Sequence, residues 1–289
     1  MKKIRDNLVP YLFIAPYLLI FFGFFLVPIF YAFYLSLHAE RGLERVFVGF
    51  DNYFTLIGDS YFHESLINVG LLLFLQFVFI IGSALLFALL LDLPIVKKKL
   101  KSFFRLSFFL PYAVPSAIVA LMWGFILSPS IGPFVPILEG VGITDFDFFD
   151  YIIPVVTNML VWKWAGYNMI ILYTGLTSIS PELYEAARID GASQFQIAWH
   201  IKIPLLKPML IFASVMTIIG GLQVFNEPAV LDDITYVPNN LTPNYYIYDI
   251  AFNRGAFTHA AAAAVILAVI IGVLAFGFLK VTGGAGEDL

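Results

Sequence analysis

Six stretches of this chain stay apolar for about 20 residues or more, the length a helix needs to cross the roughly 30 Å hydrocarbon core of a bilayer. They lie at about 10–37 (PYLFIAPYLLIFFGFFLVPIFYAFYLSL), 67–93, 106–128, 151–178, 204–226 and 260–280. In hydrocarbon every backbone N–H and C=O must find its partner inside the protein. The expected fold is therefore all-α, a membrane helix bundle of six transmembrane helices in a single domain over residues 1–289. Composition agrees. Hydrophobic residues make up 61% and charged residues 12%, with a mean hydropathy of +0.90. A soluble domain carries about 25% charge.

The first run opens on Lys2, Lys3 and Arg5, as a signal peptide does. Its apolar stretch far exceeds the ~7–15 residues of a signal-peptide core, and no A-x-A-like cleavage site follows, so it reads as a retained span.

Several activities are excluded by what is missing. There is no cysteine, hence no disulfide, thiol nucleophile or thiolate metal site. The four histidines, His38, His63, His200 and His259, show no paired ligand spacing. No GxxxxGK[ST] stretch occurs, so the chain is not itself a P-loop ATPase. A membrane-embedded enzyme lacks support: there is no HExxH, no nucleophile–base pair and no carboxylate pair at membrane depth. An ion-coupled secondary transporter is the rival transport class. It calls for carboxylates within spans and internal repeats, and the spans hold almost no acids.

Charge placement gives an orientation. With the N-terminus inside and six alternating spans, the cytoplasmic segments hold Lys2, Lys3, Arg5, Lys97, Lys98, Lys99, Lys101, Arg105, Arg188, Lys202, Lys207 and Lys280. The outer loops hold Arg41, Arg45 and Arg254, together with 13 of the 20 acidic residues, and Lys163 falls within the fourth span. The positive-inside rule is met with both termini in the cytoplasm. The run at 97–101 reads as a topology determinant that can also attract anionic lipid.

One long polar segment, SPELYEAARIDGASQFQIAWHIKIPLLKP (180–208), then lies inside, between spans four and five. Ser180 suits an N-cap and Pro181 the first helical position. Glu182 suits the positive end of the helix dipole, and Gly191 a left-handed stop. Ser193 and Gln196 match a capping box, which starts a second helix through FQIAWHIKI. Such a pair of helices can be a plain connector. It can also be a docking surface, because Ala186, Ala187, Gly191 and Ala192 permit close backbone approach while Glu185, Arg188 and Asp190 offer polar contacts at the rim.

Glu185-Ala186-Ala187, three residues, Gly191, nine residues, Ile201, one residue, Ile203-Pro204 resembles the EAA loop (E-A-A, x3, G, x9, I, x, L-P) of bacterial and archaeal ABC importer permeases, with Ile203 in place of Leu. The likeness extends to FFRLSFFLPYAVPSAIVALMWGFILSPSIGPFVPIL (103–138), to 162–193 and to the AF…HAAAAA run, all similar to the carbohydrate branch that includes maltose-type and glycerol-phosphate-type systems. LDDITYVPNNLTPN after span five departs from the Gly-Gly-Pro-rich loop common in that branch. The resemblance implies a type I ABC importer permease fold in the plasma membrane of a bacterium or archaeon. It implies that loop 180–203 is the coupling helix region, with Glu185, Ala186, Ala187, Arg188, Asp190 and Gly191 meeting a separate ATPase. It further implies an ATPase dimer that binds the ATP and Mg, a second homologous permease, an extracytoplasmic solute-binding protein and a carbohydrate cargo, with no cofactor in this chain.

Polar groups inside spans are costly and mark candidate pathways. Span four carries Trp162, Lys163, Trp164, Gly166, Tyr167 and Asn168; span five carries Gly220, Gly221, Gln223, Asn226 and Glu227. Amides, a carboxylate and aromatic faces suit sugars, so Trp164, Tyr167, Asn168, Gly221, Gln223, Asn226 and Glu227 are the candidate substrate residues. Polyamine, phosphate or peptide are rival cargoes; a polyamine calls for acids and a phosphate for cations. Plainer roles compete: Trp162, Lys163 and Trp164 as an interfacial belt with a snorkelling cation, and Gly220-Gly221 as close packing. Asn168 and Asn226 suit interhelical bonds, Glu227 a solvated outer end, and Gln76 a satisfied interhelical contact. Pro111 and Pro115 should kink span three.

Overall fold

A computed structural model describes the backbone of residues 2–42 and 44–283, and the side chains of residues 11–42 and 44–282. The basic start at Lys2, Lys3 and Arg5, and the two chain ends assigned to the cytoplasm, lie outside the described side chains. In chain order, α1 (Tyr11–Ser36) leads to strands β1 (His38–Arg41) and β2 (Glu44–Phe47), then α2 (Asp51–Ile57) and α3 (Ser60–Asp92). Next come α4 (Lys98–Phe109), α5 (Ser116–Leu127), α6 (Phe134–Gly140), α7 (Ile152–Ser178), α8 (Pro181–Ile189) and α9 (Gln194–Leu205). They are followed by α10 (Lys207–Leu222), α11 (Asn226–Leu231), α12 (Pro243–Tyr248) and α13 (Phe257–Gly283).

The chain divides into two compact units, Met1–Phe62 with Ile247–Val269, and His63–Tyr246 with Ile270–Leu289. In the first unit, α1 is apolar on all sides and its most apolar stretch is not buried by the chain at all. That is the pattern of a helix facing lipid or another subunit. A short antiparallel hairpin follows, Glu40 facing Arg45, so the all-α expectation misses one small sheet. Asn52, 2% exposed, ties the hairpin down by donating to the carbonyls of Ser36 and His38, each at 2.8 Å. Those carbonyls lie where α1 ends and β1 begins, and would otherwise lack partners.

The second unit is built around α7. Fourteen of its 27 residues are buried, so its neighbours are mainly protein rather than lipid. Val119, Ala120 and Leu127 of α5 pack with Val156, Met159 and Leu160 of α7 and Leu231 of α11. Ala84, Ala88 and Leu91 of α3 pack with Met169, Leu172 and Leu176 of α7 and with Leu206. Ala84 and Ala88 share one face at i, i+4, which lets two helices approach closely. In a bilayer such contact stabilises through dispersion rather than water exclusion. Gly166 marks the tightest approach, since a Cβ there would overlap the backbone carbonyl of Phe108.

Helix α7 covers the predicted 151–178 almost to the residue. By itself it is not apolar enough to stand as a lipid-facing span, because Lys163, Tyr167 and Asn168 sit at its centre, where protein surrounds it. Among the described residues three helices are long and apolar enough to cross a membrane, Tyr11–Ser36, Ser60–Asp92 and Phe257–Thr282, or up to five if each of two bent pairs is one span. One pair is Lys98–Ala113 with Ser116–Leu127, bent by 97°. Pro111 and Pro115 thus produce a break through a 3-10 turn, Leu110–Ala113, rather than a mild kink. The other, Gln194–Leu205 with Lys207–Leu222, bends by 67° beside Pro204 and Pro208. Predicted span 204–226 is correspondingly shorter: α10 stops at Leu222.

Candidate functional site

Helices α3, α7 and α10 enclose a cavity of about 70 Å³ in the second unit. Gln76 and Ile80 line it from α3; Leu160, Trp164, Tyr167 and Asn168 from α7; Met216, Thr217, Gly220 and Gly221 from α10. The i, i+4 spacing of Leu160, Trp164 and Asn168 puts all three on one helix face. Gly221 fits closely at its place: a Cβ there would lie 2.8 Å from the tip of the Leu73 side chain, which would have to shift, and 3.4 Å from the Gln76 amide oxygen. The aromatic wall is stiff. Tyr112 stacks on Tyr167 at 4.5 Å and meets Trp164 edge-on at 5.2 Å.

Two polar atoms here lack partners. Gln76 is 2% exposed and its Nε2 has no hydrogen-bond acceptor; Asn168 is 3% exposed and its Oδ1 has no donor. The Asn168 Nδ2 is satisfied by the Trp164 carbonyl at 3.0 Å. A buried unsatisfied polar atom costs about 1–3 kcal/mol, so an orphan donor and an orphan acceptor on one cavity call for a ligand or water that supplies both. Gln76 was expected to be a satisfied interhelical contact; the orphaned Nε2 corrects that. No lining residue carries a charge.

The structure thus gathers Trp164, Tyr167, Asn168 and Gly221 and adds Gln76 and Thr217. It leaves out Gln223, which is exposed just past the end of α10, and Asn226, which is exposed at the start of α11. Glu227 does not line the cavity either, and at 4% exposure it is buried rather than solvated. Lys163 is no snorkelling cation. It is 8% exposed, donates to Ser116 Oγ at 2.5 Å, and lies 5.6 Å from the Trp164 ring. Trp162 packs edge-on against Trp123 rather than forming a surface belt.

The surface segment folds as its local chemistry dictates. Pro181 opens α8, although the Ser180 side chain makes no capping bond. Gly191 adopts φ +83°, and α8 closes as a Schellman motif: Ala192 N–H donates to the Ala187 carbonyl at 2.9 Å and Gly191 N–H to Arg188 at 3.0 Å. The capping box then forms, with Ser193 N–H donating to Gln196 Oε1 at 2.8 Å and Gln196 N–H to Ser193 Oγ at 3.3 Å. Glu185, Ala186, Arg188, Asp190 and Gly191 are exposed, and of α8 only Tyr184 and Ala187 are partly covered. The Tyr184 hydroxyl is buried without a partner. Burial, and then the nearby Asp92 charge, push its pKa up from 10.0 to about 12.

Residues 84–281 match the family described as "Binding-protein-dependent transport system inner membrane component". The chain is 32% identical to the probable ABC transporter permease protein YurN of Bacillus subtilis, over 92% of this chain and 93% of that protein. It is 31% identical to the lactose transport system permease protein LacF of Rhizobium radiobacter, over 92% of this chain and 91% of that one. The fold superposes with a TM-score of 0.86, at 24% identity and 97% coverage of both chains, on a bacterial ABC transporter involved in the import of the acidic polysaccharide alginate.

Proposed function

Since the chain belongs to the family of binding-protein-dependent transport system inner membrane components, we propose that it is the multi-pass permease that carries a neutral sugar through an ABC importer by alternating access. The observation that carries the cargo assignment is the pair of orphan amide atoms, Gln76 Nε2 and Asn168 Oδ1, beside Trp164 and Tyr167. A sugar hydroxyl both donates and accepts, so it can satisfy the two amides at once. An aromatic face suits the apolar side of a sugar ring. An uncharged lining favours a neutral solute over a phosphate or a polyamine, and kinship to a lactose permease supports the same class.

At about 70 Å³ the cavity admits water but not a disaccharide. Carriage of a sugar through this cavity therefore requires the helices around it to separate. The chain works as one permease domain, residues 1–289, with six spans and both termini inside. Gln223 and Asn226, exposed beyond the end of α10, line the route beyond the cavity, while Glu227 is buried. A second permease completes the pathway, and a solute-binding protein outside delivers cargo. An ATPase dimer inside binds ATP and Mg, and no cofactor belongs to this chain. Loop 180–203 docks on that ATPase through Glu185, Ala186, Ala187, Arg188, Asp190 and Gly191. The ATPase then drives the cycle by binding the two states of the permease unequally.

The test is solute-stimulated ATP hydrolysis by the chain co-purified with its ATPase, second permease and binding protein. The panel should hold neutral oligosaccharides, a uronate oligosaccharide, glycerol phosphate and a polyamine. Stimulation by a neutral oligosaccharide is expected. Stimulation by only a charged solute contradicts the cargo assignment, and failure to co-purify any ATPase contradicts the importer assignment.

A further inference from the structure

Asp92 is the last residue of α3, and a carboxylate at a helix C-terminus faces the negative end of the dipole. Its local sequence therefore disfavours it. A tertiary partner offsets that cost: Lys202 Nζ lies 2.6 Å from Asp92 Oδ2, with the two side chains only 5% and 16% exposed. Lys202 belongs to a π-helical turn, Ala198–Lys202, within α9. The same ammonium lies 5.1 Å from the centre of the Tyr184 ring. The end of α3, the turn in α9 and the surface helix α8 thus meet at one largely buried charge pair.

Two further observations give the cluster a direction. Tyr184 and Ala187 are the only covered residues of α8, so Tyr184 is the main fastening of that helix to the fold. At the other end, α3 carries Gln76, sixteen residues before Asp92 and roughly 24 Å away along the axis. Helix α3 packs along α7 through Ala84, Ala88 and Leu91, which joins its Asp92 end to the helix that forms the facing wall of the cavity.

We propose that Asp92, Lys202 and Tyr184 are the positioning residues that carry movement of α8 into α3, and through α3 to Gln76 in the cavity. The link rests on the reading of α8 as the ATPase-docking helix. A displacement of α8 shifts Tyr184 on the Lys202 ammonium. Because Lys202 is held by a short, largely buried ion pair, the end of α3 follows. An apolar contact of the same size would let Tyr184 slide.

The experiment uses the full complex with its ATPase and second permease in proteoliposomes. It measures solute taken up per ATP hydrolysed, alongside co-purification of the ATPase. The variant Asp92→Leu/Lys202→Met removes both charges together, a change that commonly leaves stability intact. Expected is retained co-purification with uptake per ATP reduced by about ten-fold, within the roughly 5- to 150-fold range of ordinary coupling energies. Lys202→Arg, which keeps the charge, retains most of the coupling, whereas Tyr184→Leu loses it. Wild-type uptake per ATP in the double variant or in Tyr184→Leu overturns the proposal. Glu185→Lys, run in parallel, separates the two ideas: if it uncouples while the double variant does not, the link fails and the docking assignment stands. If Glu185→Lys is also indistinguishable from wild type, the docking assignment fails with it.

Discussion

Substituting Gly166 by alanine places a methyl group where α7 and α4 come closest. The added Cβ overlaps the carbonyl group of Phe108 and lies 3.0 Å from the Phe109 amide nitrogen. All of these are backbone atoms, so no side-chain rotation relieves the overlap. Helix α4 must retreat by on the order of 1–2 Å to restore an ordinary ~3.5 Å contact. That movement disturbs Phe108, which stacks on Phe87 at 4.5 Å, and Tyr112, which stacks on Tyr167 in the cavity wall. Overpacking costs about 1–3 kcal/mol, and the backbone overlap puts this case at the upper end. Alanine also gains about 1 kcal/mol over glycine in a helix interior. Gly70→Ala in α3 isolates that gain, because nothing lies within 4 Å of its added Cβ. The difference between the two variants therefore measures the overlap alone. At about 2–4 °C per kcal/mol, an overlap costing about 2–3 kcal/mol should melt Gly166→Ala roughly 4–12 °C below Gly70→Ala. The assay is loss of the monodisperse peak after heating in detergent, followed by uptake in the reconstituted complex, where Gly166→Ala should be slower. Equal melting of the two variants refutes the close approach of α4 and α7.

Gln76→Leu and Asn168→Leu remove orphan polar atoms from the cavity. Neither should lower the melting temperature, while each raises the half-saturating solute concentration by roughly 2- to 10-fold, one hydrogen bond's worth; unchanged uptake kinetics would remove both from the pathway. Glu185→Lys and Gly191→Pro should abolish ATP-driven uptake while the protein still inserts, the latter because φ +83° is closed to proline; normal uptake by either variant counts against α8 as the docking helix. The Tyr184 phenol is neutral in folded and unfolded chain below pH 10, and its raised pKa means that its contribution to stability is lost as pH climbs toward about 12. Phenolate absorbance of wild type minus Tyr184→Phe should rise near pH 12; a rise near 10 contradicts the burial of that hydroxyl.

The features that could be read from the sequence are those set by neighbours along the chain. The Ser193–Gln196 capping box and the left-handed Gly191 depend on residues within one turn, and both form as written. Pro111 and Pro115 announce a break, because each removes a backbone donor, but the 97° bend depends on what packs around it. Residues whose state is set by distant partners were opaque. A lone glutamine in an apolar run looks the same whether satisfied or not, and Gln76 lies beside Gly221 of α10, whose missing side chain offers its Nε2 no acceptor. Asp92 and Lys202 are far apart in sequence, and nothing local foretells their pairing. In sequence, Gln223, Asn226 and Glu227 belong with Gly221 by their sugar-binding chemistry and their place in one continuous span, about 204–226. The helix stops at Leu222, and the chain carries them away from the cavity.

The central claim is that this chain lets a separate ATPase drive a neutral solute across the membrane. ATP-driven uptake of radiolabelled oligosaccharide into proteoliposomes tests it most directly. The vesicles should hold the chain, its ATPase and the second permease, with the binding protein on the cargo side and ion gradients collapsed by ionophores. The account predicts uptake that requires hydrolysable ATP, persists without any ion gradient, and weakens in Gln76→Leu. Uptake that ignores ATP and follows a proton or sodium gradient contradicts it.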